Sequence, residues 1–153
     1  MQLKLRSQSE GLSFPRDNIA CFIYSRNFNG YTRHELSHII SINLWGKSAL
    51  WIEEGFATLT DESFQTESFH KQTRNILNTK DFIPVELLFT KFNQFNGNWF
   101  RYVETASLLR FIKEKYGIDG IKTVWRNKAL FLEDRSQDDL IKEWIKMLEK
   151  PIS

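Results

Sequence analysis

Hydrophobic positions along this chain recur mostly at helical spacing, and only its first part is patterned as a strand. Ile19 to Ser25 (IACFIYS) is apolar and rich in β-formers, follows Pro15, Asp17 and Asn18, and reads as the best strand. Leu3 and Leu5 alternate with polar neighbours as a weak edge strand. After an Asn29-Gly30 turn, one helix is predicted from about Tyr31 to Leu44 and a second from roughly Ala49 to Thr60. The two must be joined by a quick reversal, and Gly46 is the residue that turns most cheaply. The polar stretch 62–80 reads as a third helix or a loop. Pro84 opens a short helix as a first-turn proline, and 93–98 (NQFNGN) is a loop. Trp99 to Tyr116 is a long helix stopped by Gly117, and Ile118 to Lys128 is another. Ser136 offers an N-cap to the last helix, where Leu140, Ile141, Trp144, Ile145 and Leu148 fall at helical intervals. The expected fold class is α+β and mostly helical: a small N-terminal β-sheet packed on a helix pair, then a C-terminal helical part. With no internal repeat or linker, the 153 residues make one domain.

The first of the paired helices carries His34-Glu35-Leu36-Ser37-His38, which uses two of the three histidines in the chain. Positions four apart on an α-helix lie about 40° apart around the axis, so His34 and His38 point the same way and can share one ion. Glu35 lies about 100° from His34, off the ligand direction but near enough to act on a water beside the ion. Leu36, Ile39 and Ile40 gather near the opposite face, so the helix is expected to bury that side and present the histidines from the other. On the next helix, Trp51-Ile52-Glu53-Glu54-Gly55-Phe56-Ala57 brings acidic residues where a third ligand is wanted. Two imidazoles, a carboxylate and a general base are what zinc-assisted peptide hydrolysis requires.

HELSH followed by WIEEGFA resembles the gluzincin metallopeptidases, and most closely their compact peptidase MA-like domains. The likeness extends through Pro84-Val85-Glu86-Leu87-Leu88, the Tyr102-headed helix and Tyr116-Gly117, covering roughly Ile19 to Trp144. It implies a single zincin-like domain over residues 1–153, either whole or short of its first strands. It further implies one zinc ion per chain held by His34, His38 and Glu54, with Glu54 preferred over Glu53 because the family's ligand directly precedes glycine. Glu35 is then the general base, and Tyr102 the donor to the developing oxyanion unless it only packs against Val103, Ala106 and Leu109. The activity implied is hydrolysis of a peptide or protein substrate. Two departures stand out. The interval from His38 to Glu54 is shorter than in the large aminopeptidases of the clan. Thr58 also replaces the aspartate that orients a histidine in thermolysin-like enzymes, leaving Asp61 or Glu62 for that task.

Composition narrows the choice of partners. A net charge of +2, with basic and acidic residues interspersed, leaves no footprint for nucleic acid. No apolar run approaches the ~20 residues of a membrane span. The start, Met1-Gln2-Leu3-Lys4-Leu5-Arg6, lacks a signal-like apolar stretch, so a complete chain is expected in the cytoplasm and a fragment of a longer protein outside it. Cys21, the single cysteine, excludes an internal disulfide and reads as a buried filler in its strand. His70 has no neighbour at ligand spacing and reads as a surface histidine. One alternative stands beside the enzyme: a catalytically inactive zincin-like binding or scaffold domain. Strand poverty ahead of the pentad favours it, because such peptidases bind substrate along a sheet edge. Glu35 and the lack of a fourth protein ligand favour the enzyme.

Overall fold

The computed structural model describes residues 11–22, 24–25, 28–29, 32–61 and 67–150. The weak strand at Leu3 and Leu5, the Gly30 turn and Glu62 lie outside the described residues. Four short strands come first: β1 (Gly11–Phe14), β2 (Ile19–Phe22), β3 (Tyr24–Ser25) and β4 (Phe28–Asn29). Six helices follow: α1 (Thr32–Trp45), α2 (Leu50–Thr60), α3 (Phe69–Ile76), α4 (Val85–Lys91), α5 (Phe100–Asn127) and α6 (Gln137–Glu149). The protein is thus α+β and mostly helical.

The sheet is two separate antiparallel pairs, β1–β2 and β3–β4. The predicted Ile19–Ser25 strand is divided between them, and β1 was not anticipated. In the first pair Gly11 faces Phe22 and Phe14 faces Ile19. A 3₁₀ turn over Pro15–Asp17 closes it, with Asn18 in the left-handed region at φ 54°. Asn43 of α1 donates to Pro15 O (3.1 Å) and Asn18 Oδ1 (2.8 Å), seating the hairpin on that helix. Cys21 is exposed rather than buried. Side chains alternate along a strand, and in β2 the half-buried residue is Ala20, so Ile19 and Cys21 face away.

Most predicted helices are present with end shifts of a residue or two. Pro84 is the N-cap of α4 rather than its first residue. Overlapping the start of the predicted 93–98 loop, Phe92–Phe95 forms a 3₁₀ turn. The long helical run of α5 is interrupted at Gly117 (φ 68°, ψ −168°), which leaves helical backbone and divides it into the two helices expected. Ser136 caps α6 by accepting from the Asp139 N–H.

The core lies between α2, α4, α5 and α6, around Ile52, Leu88, Leu109, Ile112, Trp125 and Trp144. The largest helix interface is α2 on α5. Gly55 permits it: a Cβ there would sit 2.9 Å from Thr105 Cβ and 3.1 Å from the Thr105 backbone. No helix among the described residues is long and apolar enough to cross a membrane.

The burial expected for α1 is reversed. Ser37, His38 and Ser41 are buried, whereas Leu36, Ile40 and Leu44 are 41%, 56% and 71% exposed. They border an open apolar groove of about 460 Å³ that reaches Trp45 and Phe56. The cause is geometric. Glu54 on α2 faces His34 and His38, so α1 turns its histidine face and adjacent serines towards α2 and its apolar stripe outwards.

Candidate metal centre

The local sequence accounts for how each side chain reaches the site. The helical spacing of His34 and His38 brings their rings edge to face, with centroids 4.9 Å apart and the Nε2 atoms 3.2 Å apart. Between α1 and α2 the chain reverses through Gly46, at φ 78°, whose N–H donates to Ile42 O (2.9 Å). α2 begins at Ala49, which supplies no capping side chain. Glu53 makes up for this: its Oε1 accepts the Ser48 N–H at 2.7 Å. Glu53 is therefore occupied by the helix start, and Glu54, about 100° further round, is the one that faces the histidines.

Glu54 Oε2 lies 3.3 Å from His34 Nε2 and 3.7 Å from His38 Nε2. Three ligand-type atoms thus form a triangle with edges of 3.2, 3.3 and 3.7 Å. An ion held tetrahedrally by bonds of ~2.0–2.1 Å sets its ligand atoms about 3.3 Å apart, so the triangle has the size such an ion requires. Among the described residues these three are the group able to hold a metal. The electrostatics also suit a cation. Burial alone would push the Glu54 carboxyl up, but hydrogen bonds and charge from His34 and His38 outweigh it and bring it down to about 2. Burial opposes charge on His38, yet Glu54, Glu35 and Glu53 together raise that imidazole above its ordinary value.

Glu35 is half-buried, and among the described residues its side chain makes no hydrogen bond or ion pair. Tyr102 on α5 comes to the same place: its ring centroid is 6.4 Å from that of His34. Burial and the negative charges of Glu54 and Glu35 push its phenol up, while Arg101 pulls it down. Its other ring neighbours are Trp99 and Phe92, at 5.8 and 5.6 Å. Asp61 ends α2 in a buried position. Burial pushes its carboxyl up, against the His34 charge and a backbone hydrogen bond from His34. Asp61 thus meets the His34 main chain at the start of α1. Its Oδ2, like the Thr58 hydroxyl one turn earlier, has no hydrogen-bond partner among the described residues.

His70 is not the surface histidine expected. Its side chain is 12% exposed, with Nδ1 2.8 Å from Ser107 Oγ and Nε2 3.3 Å from Glu114 Oε2. It belongs to the α3–α5 contact. Two residues that shape the centre went unrecognised in the sequence. Gly55 had a visible signal, a glycine inside a helical run that marks a close approach. Arg101 had none, because nothing local distinguishes a buried arginine from a solvated one.

Comparison with family models, with curated proteins and with solved structures finds no match for this chain.

Proposed function

We propose that this protein is a zinc-dependent peptidase of the gluzincin kind, with His34, His38 and Glu54 as the metal ligands. The observation that carries the reading is the triangle of acceptor atoms, with edges of 3.2, 3.3 and 3.7 Å, drawn from two helices. The donor set fits zinc in a catalytic role: structural zinc usually takes four protein ligands, often thiolates, and here there are two imidazoles and one carboxylate. When bound, zinc supplies a Lewis acid for the scissile carbonyl and an open position at which water becomes acidic enough to react near neutral pH.

The remaining steps belong to the chain. Glu35, one residue after the first ligand and with no side-chain partner among the described residues, takes a proton from the attacking water and returns it to the leaving amine. Tyr102, beside His34, donates a hydrogen bond from its hydroxyl to the oxygen on which negative charge develops and keeps its proton throughout. Extended substrate is held by backbone hydrogen bonds along the hairpin, because among the described residues each strand of the β1–β2 pair keeps one unpaired edge and the pair packs on α1.

The test is elemental analysis with a cleavage assay. The wild-type protein should carry about one zinc per chain and Glu54→Gln almost none. Zinc-loaded Glu35→Gln should lose peptide cleavage by a factor on the order of 10² to 10⁴ while keeping its metal. A zinc-loaded Glu35→Gln protein that cleaves as fast as wild type removes the base. Wild-type protein that holds zinc and cleaves nothing supports the inactive scaffold instead.

A further inference from the structure

Arg101 is an unusual residue to find inside this protein. It is 6% exposed, and among the described residues no carboxylate pairs with it. Burying a guanidinium is costly unless its N–H groups find partners. Its partners are specific: Nη1 donates to Phe92 O at 2.9 Å and Nη2 donates to Tyr102 Oη at 2.6 Å. Its carbon also lies 4.7 Å from the Phe92 ring centroid and 4.5 Å from that of Tyr102. Nε has no partner. The charge is therefore held by one carbonyl, one phenol and two ring faces.

The bond to Tyr102 has a directional consequence. A phenol holds its O–H near the ring plane, pointing to one side or the other, and accepts from the side left free. Arginine has no acceptor, so at this contact Tyr102 can only receive. With the guanidinium filling one side of Oη at 2.6 Å, the hydroxyl proton is directed to the other. The Tyr102 ring stands beside His34, so a donor with a fixed direction is what that neighbourhood gains.

We propose that Arg101 is a positioning residue that fixes the Tyr102 hydroxyl as a hydrogen-bond donor for the His34–His38–Glu54 site; the catalytic consequence rests on the peptidase reading above. The arginine never meets substrate. It acts by occupying the phenol oxygen from behind and by placing a permanent positive charge at the back of the phenol that donates to the developing oxyanion. A lysine cannot replace it fully, because one ammonium lacks the planar fork that reaches Phe92 O and Tyr102 Oη together.

Two measurements on the full chain test this. The first needs no metal and no substrate. Ultraviolet resonance Raman reads the tyrosine Fermi doublet, whose intensity ratio separates phenols that accept hydrogen bonds from those that donate. Subtracting the Tyr102→Phe spectrum isolates Tyr102 from the other three tyrosines of the chain. The wild-type protein should give an acceptor-type ratio, and Arg101→Met should move it to the mixed ratio of a phenol in water. Arg101→Lys is the fallback if the methionine protein does not fold, and should fall between the two. An unchanged doublet in a folded Arg101 variant overturns the assignment.

The second measurement uses zinc-loaded protein and the best-cleaved member of a fluorogenic peptide library. Arg101→Met should lower kcat roughly tenfold, with KM and zinc content unchanged, and Arg101→Lys should recover part of the loss. The double variant with Tyr102→Phe should be no slower than Tyr102→Phe alone. Equal slowing of wild type and of Tyr102→Phe by the arginine change overturns the proposal. Failure of the wild-type protein to cleave any peptide defeats the peptidase reading, and the Raman result then decides by itself whether Arg101 sets the direction of the hydroxyl.

Discussion

Where α1 meets α2, His34 and His38 turn Nε2 atoms towards Glu54, and three acceptor-type atoms face one another across 3.2 to 3.7 Å. Where α3 meets α5, His70 also has a glutamate beside it, but its hydrogen bonds form a chain. Trp144 Nε1 donates to Ser107 Oγ (3.1 Å), Ser107 Oγ is 2.8 Å from His70 Nδ1, and His70 Nε2 is 3.3 Å from Glu114 Oε2. Indole can only donate, so Ser107 Oγ accepts from Trp144, and His70 links that oxygen to Glu114 through its two ring nitrogens. Every polar atom in that chain has a complement, and Ser107 is wholly buried. It fastens helices together and resembles a catalytic Ser-His-Glu set in composition only. An imidazole beside a carboxylate is therefore not by itself a candidate metal site; what sets the first cluster apart is that three ligand-type atoms converge on one point.

The largest effect should separate the two clusters outright. His38→Ala should reduce bound zinc from about one per chain to none, and His70→Ala should leave it in place. A chelator should lower the melting temperature of wild type and of His70→Ala but not of His38→Ala, because a ligand at 100 times its Kd stabilises by about 2.7 kcal/mol. Equal zinc loss in both variants would erase the distinction.

Next comes Gly55→Ala. The added Cβ would meet Thr105 Cβ at 2.9 Å, so α2 must lift from α5 and take Glu54 with it. Urea unfolding should show a loss of about 1–3 kcal/mol, and zinc should bind more weakly. A variant of unchanged stability would mean that the α2–α5 contact yields without cost.

A smaller effect concerns Glu104, one turn before Ser107 and fully buried. Its Oε1 accepts the Ile83 N–H at 2.9 Å, and among the described residues Oε2 has no hydrogen-bond partner. Burial pushes this carboxyl up to about 8, against the pull of the Ile83 hydrogen bond. The folded protein thus keeps a proton that the unfolded chain has released above about pH 4.5. The stability this group contributes is complete below that pH and is lost as pH rises through about 8. Wild type should weaken between pH 5 and 9, whereas Glu104→Gln should be flatter and stronger at pH 9 by on the order of 1 kcal/mol. Urea midpoints across that range measure it, and parallel curves for the two proteins would contradict it.

Much of this architecture was legible because its signals are local. The bounds of α1 and α2, the cap at Ser136, the bend at Gly117 and the reversal at Gly46 follow from residues within a few positions of each feature. The pairing of His34 with His38 is likewise a property of one helix. What escaped was set by distant partners. The exposure of Leu36 and Ile40 depends on α2 approaching the histidine side of α1, which no pattern within α1 encodes. Cys21 faces outwards because its hairpin lays Ala20 inwards, and the β1 half of that hairpin was not seen. The chain through His70 joins residues 37 positions apart, and the Arg101 bond to Phe92 spans a turn that was read as a loop.

The reversal between α1 and α2 is held from outside both helices. Trp125, near the end of α5, donates Nε1–H to Gly46 O at 2.8 Å, and its own carbonyl accepts from Ser48 Oγ at 2.8 Å. Its indole also stacks edge-on to Trp45 and Phe56, at 5.5 and 5.9 Å. The corner linking the two ligand-bearing segments is therefore bolted to a residue encoded more than seventy positions downstream. A nascent chain can coil the first histidine helix early, but its fit for an ion waits until that indole has emerged and docked.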